Sequence, residues 1–179
     1  MKAAFLLTLA LGLCCGASAL AQAPQDPVPQ PQAETPPAQN PFQPFDRARF
    51  EAAAKELGAT PEQLQAFGQK IAEVGVARAA DELVRAVVPA YDAAVKLYEA
   101  TDVTAPIELT KVLQDAKSPL LRAHVRSHLA RLFLDSDSPE FAVQVLNDYL
   151  DHDLNVSPLD GEVAFFYAQA LAELPMPEQ

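Results

Sequence analysis

The sequence predicts an all-α protein built of antiparallel helical hairpins, and three observations carry that prediction. From Phe45 onward, apolar residues recur at steps of three and four, the period of one helix face. Hydroxyl–proline pairs at Thr60-Pro61, Ser118-Pro119, Ser138-Pro139 and Ser157-Pro158 stand where those stripes begin. There the hydroxyl can accept an orphan backbone N–H, and proline in the first turn gives up no helical bond. Alternation of period two is sustained nowhere, so no strand is expected.

The first segment, residues 1–21, reads as a secretory leader. Lys2 supplies a positive start, Ala3 to Leu13 is apolar, and Ala19-Leu20-Ala21 fits the small-x-small pattern that a signal peptidase accepts. Cleavage after Ala21 leaves Gln22 first; cleavage after Ala23 would place Pro24 there. A membrane anchor needs about 20 apolar residues, and Gly12, Gly16 and Ser18 interrupt a shorter run. Acylation at Cys14 or Cys15 is the rival, although neither cysteine follows the small residue that such sites want. The expected address is therefore the periplasm or the exterior. Removal of the leader takes both cysteines with it, and with them any disulfide or thiol chemistry.

Residues 22–44 read as a disordered linker. Eight of the twenty-three are proline and six are glutamine, with no large apolar residue before Phe42. Such a segment cannot bury enough surface to offset its chain entropy, and proline stiffens it into an extended tether.

An N-terminal helical region, 45–104, comes next. Leu64, Phe67, Ile71 and Val74 form one stripe. Val84, Val88, Tyr91, Val95 and Tyr98 form another that runs through Pro89, implying either one kinked helix or two helices meeting there. Opposite charges at Arg78/Glu82, Asp81/Arg85 and Asp92/Lys96 stand four residues apart, as on a solvated face.

The last region, 105–179, carries the stripes Leu121, Val125, Leu129, Phe133 and Phe141, Val145, Leu146, Tyr149. Its three Ser-Pro starts lie 20 and 19 residues apart, so a helix pair occupies about 39 residues, the size of a helical-hairpin repeat. Asp160-Gly161 reads as a turn. Leu129-Ala130-x-x-Phe133, with Ala142 nine residues beyond Phe133, resembles the signature of the tetratricopeptide repeat. Tyr167-Ala168-x-x-Leu171 resembles a second copy of its first helix. The likeness covers about residues 119–174. It departs from the family at Arg126, Tyr149 and Leu154, where an aromatic, an alanine and a proline are usual. It implies one full hairpin and a terminal capping helix in an exported bacterial protein, packed on the N-terminal region.

The resemblance also implies a concave partner-binding face. Carried over by motif, His124, Ser127 and Arg131 fall on one helix, and Glu162, Phe165 and Gln169 on the next. With Arg122 and Arg126 nearby, the first triplet makes a local basic patch suited to an acidic or C-terminal carboxylate ligand. The blander reading is a solvated helix face pairing with the acidic runs 135–140 and 148–153.

Two metal readings compete with it. His124 and His128 stand four apart on one helix face, but no third ligand is placed by sequence. Asp151-x-Asp153-x-Asn155, with Glu162 in the twelfth position, follows the spacing of a calcium loop. Val156 stands where that loop needs glycine, and Pro158 where it pairs by its backbone. A calcium-responsive structural module is therefore the alternative function, and no cofactor or metal site is assigned.

Thirteen basic residues, one of them Lys2, stand against twenty-four acidic ones, leaving a net charge of about −12 after the leader. That excess weighs against nucleic acid or an anionic membrane as partner. No G-x-S-x-G, G-x-G-x-x-G or phosphate loop is present, which favours a non-catalytic protein. The expected role is interaction with a protein or peptide, or assembly in the envelope. Self-association through the helices from Phe45 to Thr101 is a third reading.

Overall fold

The computed structural model describes residues 44–174, which belong to one packed unit. The leader, and the linker up to residue 43, lie outside the described residues. Within them the chain is all-helical, with eight helices and no strand. They are α1 (Arg47–Leu57), α2 (Pro61–Val74), α3 (Val76–Val87), α4 (Pro89–Glu99), α5 (Ala105–Asp115), α6 (Pro119–Asp135), α7 (Pro139–His152) and α8 (Asp160–Glu173).

The helix boundaries follow local chemistry. Asp46 caps α1 through the Arg49 N–H, and Gly58 ends it at φ 110°, a left-handed conformation that favours glycine. Thr60 and Gln63 form a reciprocal capping box at α2. The apolar stripe through Pro89 is two helices rather than one kinked helix. Val88 turns to extended backbone between them, as a residue before proline prefers. Ser118 and Ser138 sit at N-caps but make no side-chain cap bond.

The Ser157-Pro158 start is displaced. Leu159 occupies the N-cap position of α8 without a side-chain cap, and Asp160-Gly161 opens the first helical turn rather than a free turn. Ser157 is buried, and its oxygen accepts the N–H of Leu159, the N-cap residue, rather than one inside the helix.

α6 is the central element, packed against α1, α3, α4, α5, α7 and α8. Leu121, Val125 and Leu129 enter a core shared with Phe50, Phe67, Val84, Tyr91 and Leu109. Ala123 and Ala130 enter a second core with Leu146, Tyr149, Val163 and Phe166. A helix that serves two cores is covered on most of its circumference, and this decides what remains of the predicted binding face.

α6 and α7 form an antiparallel hairpin. Arg122 meets Asp153, Arg126 meets Asp148, and Phe133 meets Phe141 with ring centroids 5.6 Å apart. Asp153 is wholly buried, and both its oxygens are taken: Oδ1 by Arg122 at 2.9 Å, Oδ2 by Arg126. The two arginines expected to enrich a surface patch thus stitch the hairpin to the α7–α8 loop.

Candidate functional site

A cleft of about 250 Å³ opens between α3, α6 and the start of α8, lined by Ala77, Arg78, Asp81, Ser127, His128, Arg131, Leu159 and Glu162. Its floor is a shared carboxylate. Asp81 Oδ1 accepts the Tyr91 hydroxyl at 2.5 Å and lies 3.3 Å from both His124 Nδ1 and His128 Nε2. Helical geometry makes this convergence possible, because His124 and His128 are one turn apart and project from the same side of α6. Tyr91 reaches the same oxygen from α4.

The electrostatics follow from that arrangement. Burial pushes the Asp81 carboxyl up, but hydrogen bonds and charge from His124 and His128 outweigh it and hold Asp81 well below the usual carboxylate range. An ionised carboxylate only accepts, so the imidazole protons facing it sit on Nδ1 of His124 and Nε2 of His128. Burial first, then the Asp81 charge and bond, push the Tyr91 hydroxyl well above its ordinary value.

On its far side, His124 Nε2 accepts the Ser157 hydroxyl at 3.2 Å, and Ser157 Oγ accepts from the Leu159 N–H at 3.3 Å. Ser157–His124–Asp81 thus has the order of an acyl-transfer relay. However, His124 is wholly buried, and it lines neither the Asp81 cleft nor the separate cavity that Ser157 faces beside Arg49 and Asp160. A leaving group has no route to its Nε2, and general-base work needs that reach. The relay's effect is positional: it fixes the imidazole and pins the α7–α8 loop onto α6.

The six residues predicted from sequence divide between three places. Ser127, Arg131 and Glu162 line the cleft. His124 lies beneath it, wholly buried, and Ser127 is only 5% exposed, so neither offers the open surface expected of it. The cause is α6's central position, with α3 and the Ser157 loop covering that side. Phe165 and Gln169 are exposed elsewhere on α8. Phe165 is 65% exposed and stacks on Phe166, and Gln169 donates to Glu173.

Sequence reasoning did not assign Arg78, Asp81 and His128 to a partner-binding face. Asp81 was expected to pair with Arg85 along α3. Instead Arg85 turns to Asp92 at 2.9 Å and Glu99 at 2.6 Å, while Asp81 faces inward. The histidine spacing was the available signal: His124 and His128 do converge, on a carboxylate.

The calcium spacing does not assemble. Asp153 is occupied by two arginines, and Glu162 faces the Asp81 cleft. Asp160 accepts from Tyr149 at 2.7 Å and from the Asn155 N–H at 2.9 Å. The residue with positive φ is Asn155, at 64°, not Val156 at the glycine position. Among the described residues, no group of three or more His, Cys, Asp or Glu is placed to hold a metal. Nor is any helix among them long and apolar enough to cross a membrane. No known protein family, curated protein or solved structure matches this chain.

Proposed function

We propose that this chain is exported with residues 1–21 removed. It then acts as a non-catalytic helical interaction module on a proline-rich tether, holding an acidic segment of a protein partner in the α3–α6–α8 cleft. One observation carries the reading. Arg131 and His128 line one concavity of a strongly acidic protein beside Arg78, which pairs with Glu82 at 3.5 Å, and Arg131 is exposed with no carboxylate partner among the described residues. Guanidinium groups pair carboxylates through two parallel N–H bonds, so Arg131 supplies the recognition. Charge at the rim sets partner choice and encounter rate more than raw affinity.

The antiparallel α6–α7 hairpin, with Leu129, Ala130 and Ala142 buried, supports a tetratricopeptide-like reading of that stretch. The ligand position differs from that family expectation. It lies over Asp81 and His128 rather than along an open groove.

Affinity capture tests the reading, with residues 22–179 as bait against the exported proteins of the native cell and Arg131→Glu bait beside it. The expected result is a partner enriched by the first and lost with the second. Arg131→Glu should keep its unfolding midpoint, because an exposed substitution typically shifts stability by no more than about 0.5 kcal/mol. Equal capture by both baits would remove the cleft as the contact surface.

A further inference from the structure

We infer that the acidic segment held in this cleft carries one basic side chain beside its carboxylate, and that Glu162 selects it; the inference rests on the acidic-ligand reading above. The charges around the cleft divide into those already matched and those left over. Arg78 pairs with Glu82 at 3.5 Å, and Glu82 also takes Lys70 at 2.7 Å. Asp81 accepts from Tyr91 and lies 3.3 Å from both His124 and His128. Asp135, one turn beyond Arg131 on α6, accepts from Tyr98 at 3.2 Å. Arg131 and Glu162 remain. Both line the cleft, and neither has an ion pair or a side-chain hydrogen bond among the described residues, with each other or with a third group.

Opposite charges that share a small cleft without meeting impose a pattern on whatever fills it. α6 presents Arg131, and the first turn of α8 presents Glu162. A negative side chain is favoured at that end of a helix, so Glu162 keeps its charge there without a cation partner. Both charges act on one point, the Tyr98 hydroxyl. Burial raises it most, Arg131 lowers it, and Asp135 and Glu162 raise it.

A ligand carboxylate on Arg131 therefore leaves the next part of the ligand beside Glu162. A second carboxylate would meet a like charge there, whereas a Lys or Arg side chain gains an opposite one. Asp81 is less suited to take that cation, because three donors already share its carboxylate. The cleft measures about 250 Å³, below the ~300–1,000 Å³ of a pocket for a drug-sized molecule. It admits one or two side chains, so the acid and the base come from neighbouring residues. Arg131 supplies the attraction, and Glu162 turns away segments that are acidic throughout.

The test is calorimetric titration of residues 22–179 at neutral pH in about 0.15 M salt, which screens charges beyond about 8 Å. The probes are an acidic peptide of four Asp and Glu residues with both ends blocked, and four versions of it with Lys at each position in turn. One Lys version should bind about fivefold tighter than the all-acidic parent, the scale of one well-placed ion pair. Glu162→Gln should erase that advantage and Glu162→Lys should reverse it. Glu140→Gln, exposed on α7 away from the cleft, should leave it intact. Arg131→Glu should abolish binding of every version. Arg131-dependent binding in which no Lys version is favoured, or all four are favoured equally, would overturn the selection and leave the acidic-ligand reading standing. So would an advantage that survives Glu162→Gln. Absence of binding by all five peptides would overturn both. The Lys series on the unaltered chain needs no variant to fold.

Discussion

Asp81 concentrates more of the structure's chemistry than any residue around it. Three donors from two helices meet one of its oxygens, so removing the charge leaves Tyr91, His124 and His128 competing for a weaker acceptor. Asp81→Asn should lower unfolding free energy by about 1.5–3 kcal/mol, the range for hydrogen bonds to a charged group, read from the urea midpoint at neutral pH. The acid limb should change as well. Because folding depresses the Asp81 carboxyl, the unfolded chain binds the proton first. Stability from Asp81 is therefore complete above its unfolded value of about 3.9 and is lost as pH falls from there towards the lower folded value. Asp160 has the opposite sign: burial raises it, so its contribution grows less unfavourable on acidification. The variant should accordingly show a flatter loss of stability below about pH 4, and an unchanged acid limb would contradict the role given to Asp81. None of this was legible along the chain, where Asp81 and Arg85 look like an ordinary surface pair. Their separation depends on which way α3 rolls against α4 and α6, and a periodic pattern alone does not fix that roll.

At the scale of elements, the α6–α7 hairpin was legible because its signals agree. The Ser-Pro starts, the stripes and the lengths all place two antiparallel helices there. The two helices at Pro89 were legible as one of two outcomes. α1 and α5 left weaker traces, burying only Phe50 and Ala54, and Ala105 and Leu109, respectively. The start of α8 was misplaced because Ser157 accepts the N–H of Leu159, and the helix begins only after that residue. The acidic run from Asp151 shows why spacing alone misleads: equally spaced carboxylates point to unrelated places. Asp153 is buried between Arg122 and Arg126, whereas Asp151 is exposed on α7. Asp153→Ala should therefore cost about 2–4 kcal/mol in a denaturation series, since it leaves two partly buried guanidinium groups without their carboxylate. The 24% exposure of Arg122 keeps the figure below that of a fully buried pair. Asp151→Ala should stay within about 0.5 kcal/mol. Equal effects at the two positions would contradict the hairpin stitch.

Across the whole molecule, α6 explains both what the sequence anticipated and what it missed. As an apolar stripe it looked like one face of a repeat, with His124, Ser127 and Arg131 on an open side. Packed between two cores, it is most exposed in its C-terminal part, where Arg131 with His128 lines the cleft. Three of the six predicted contact residues reach the cleft because the helical period is correct. The others miss it because tertiary covering is not written in any one helix. This cleft is proposed to receive the ligand, rather than the groove that Ala93, Leu97 and Val112 line between α4 and α5, or the exposed Phe165 side of α8. The most direct measurement is an amide-resolved nuclear magnetic resonance titration of residues 22–179 with the acidic peptide at about pH 6. Shifts concentrated at Ala77, Arg78, Asp81, His128, Arg131 and Glu162 are predicted, with α5 unmoved. Shifts centred on Ala93, Leu97 and Val112, or none at saturating peptide, would contradict it.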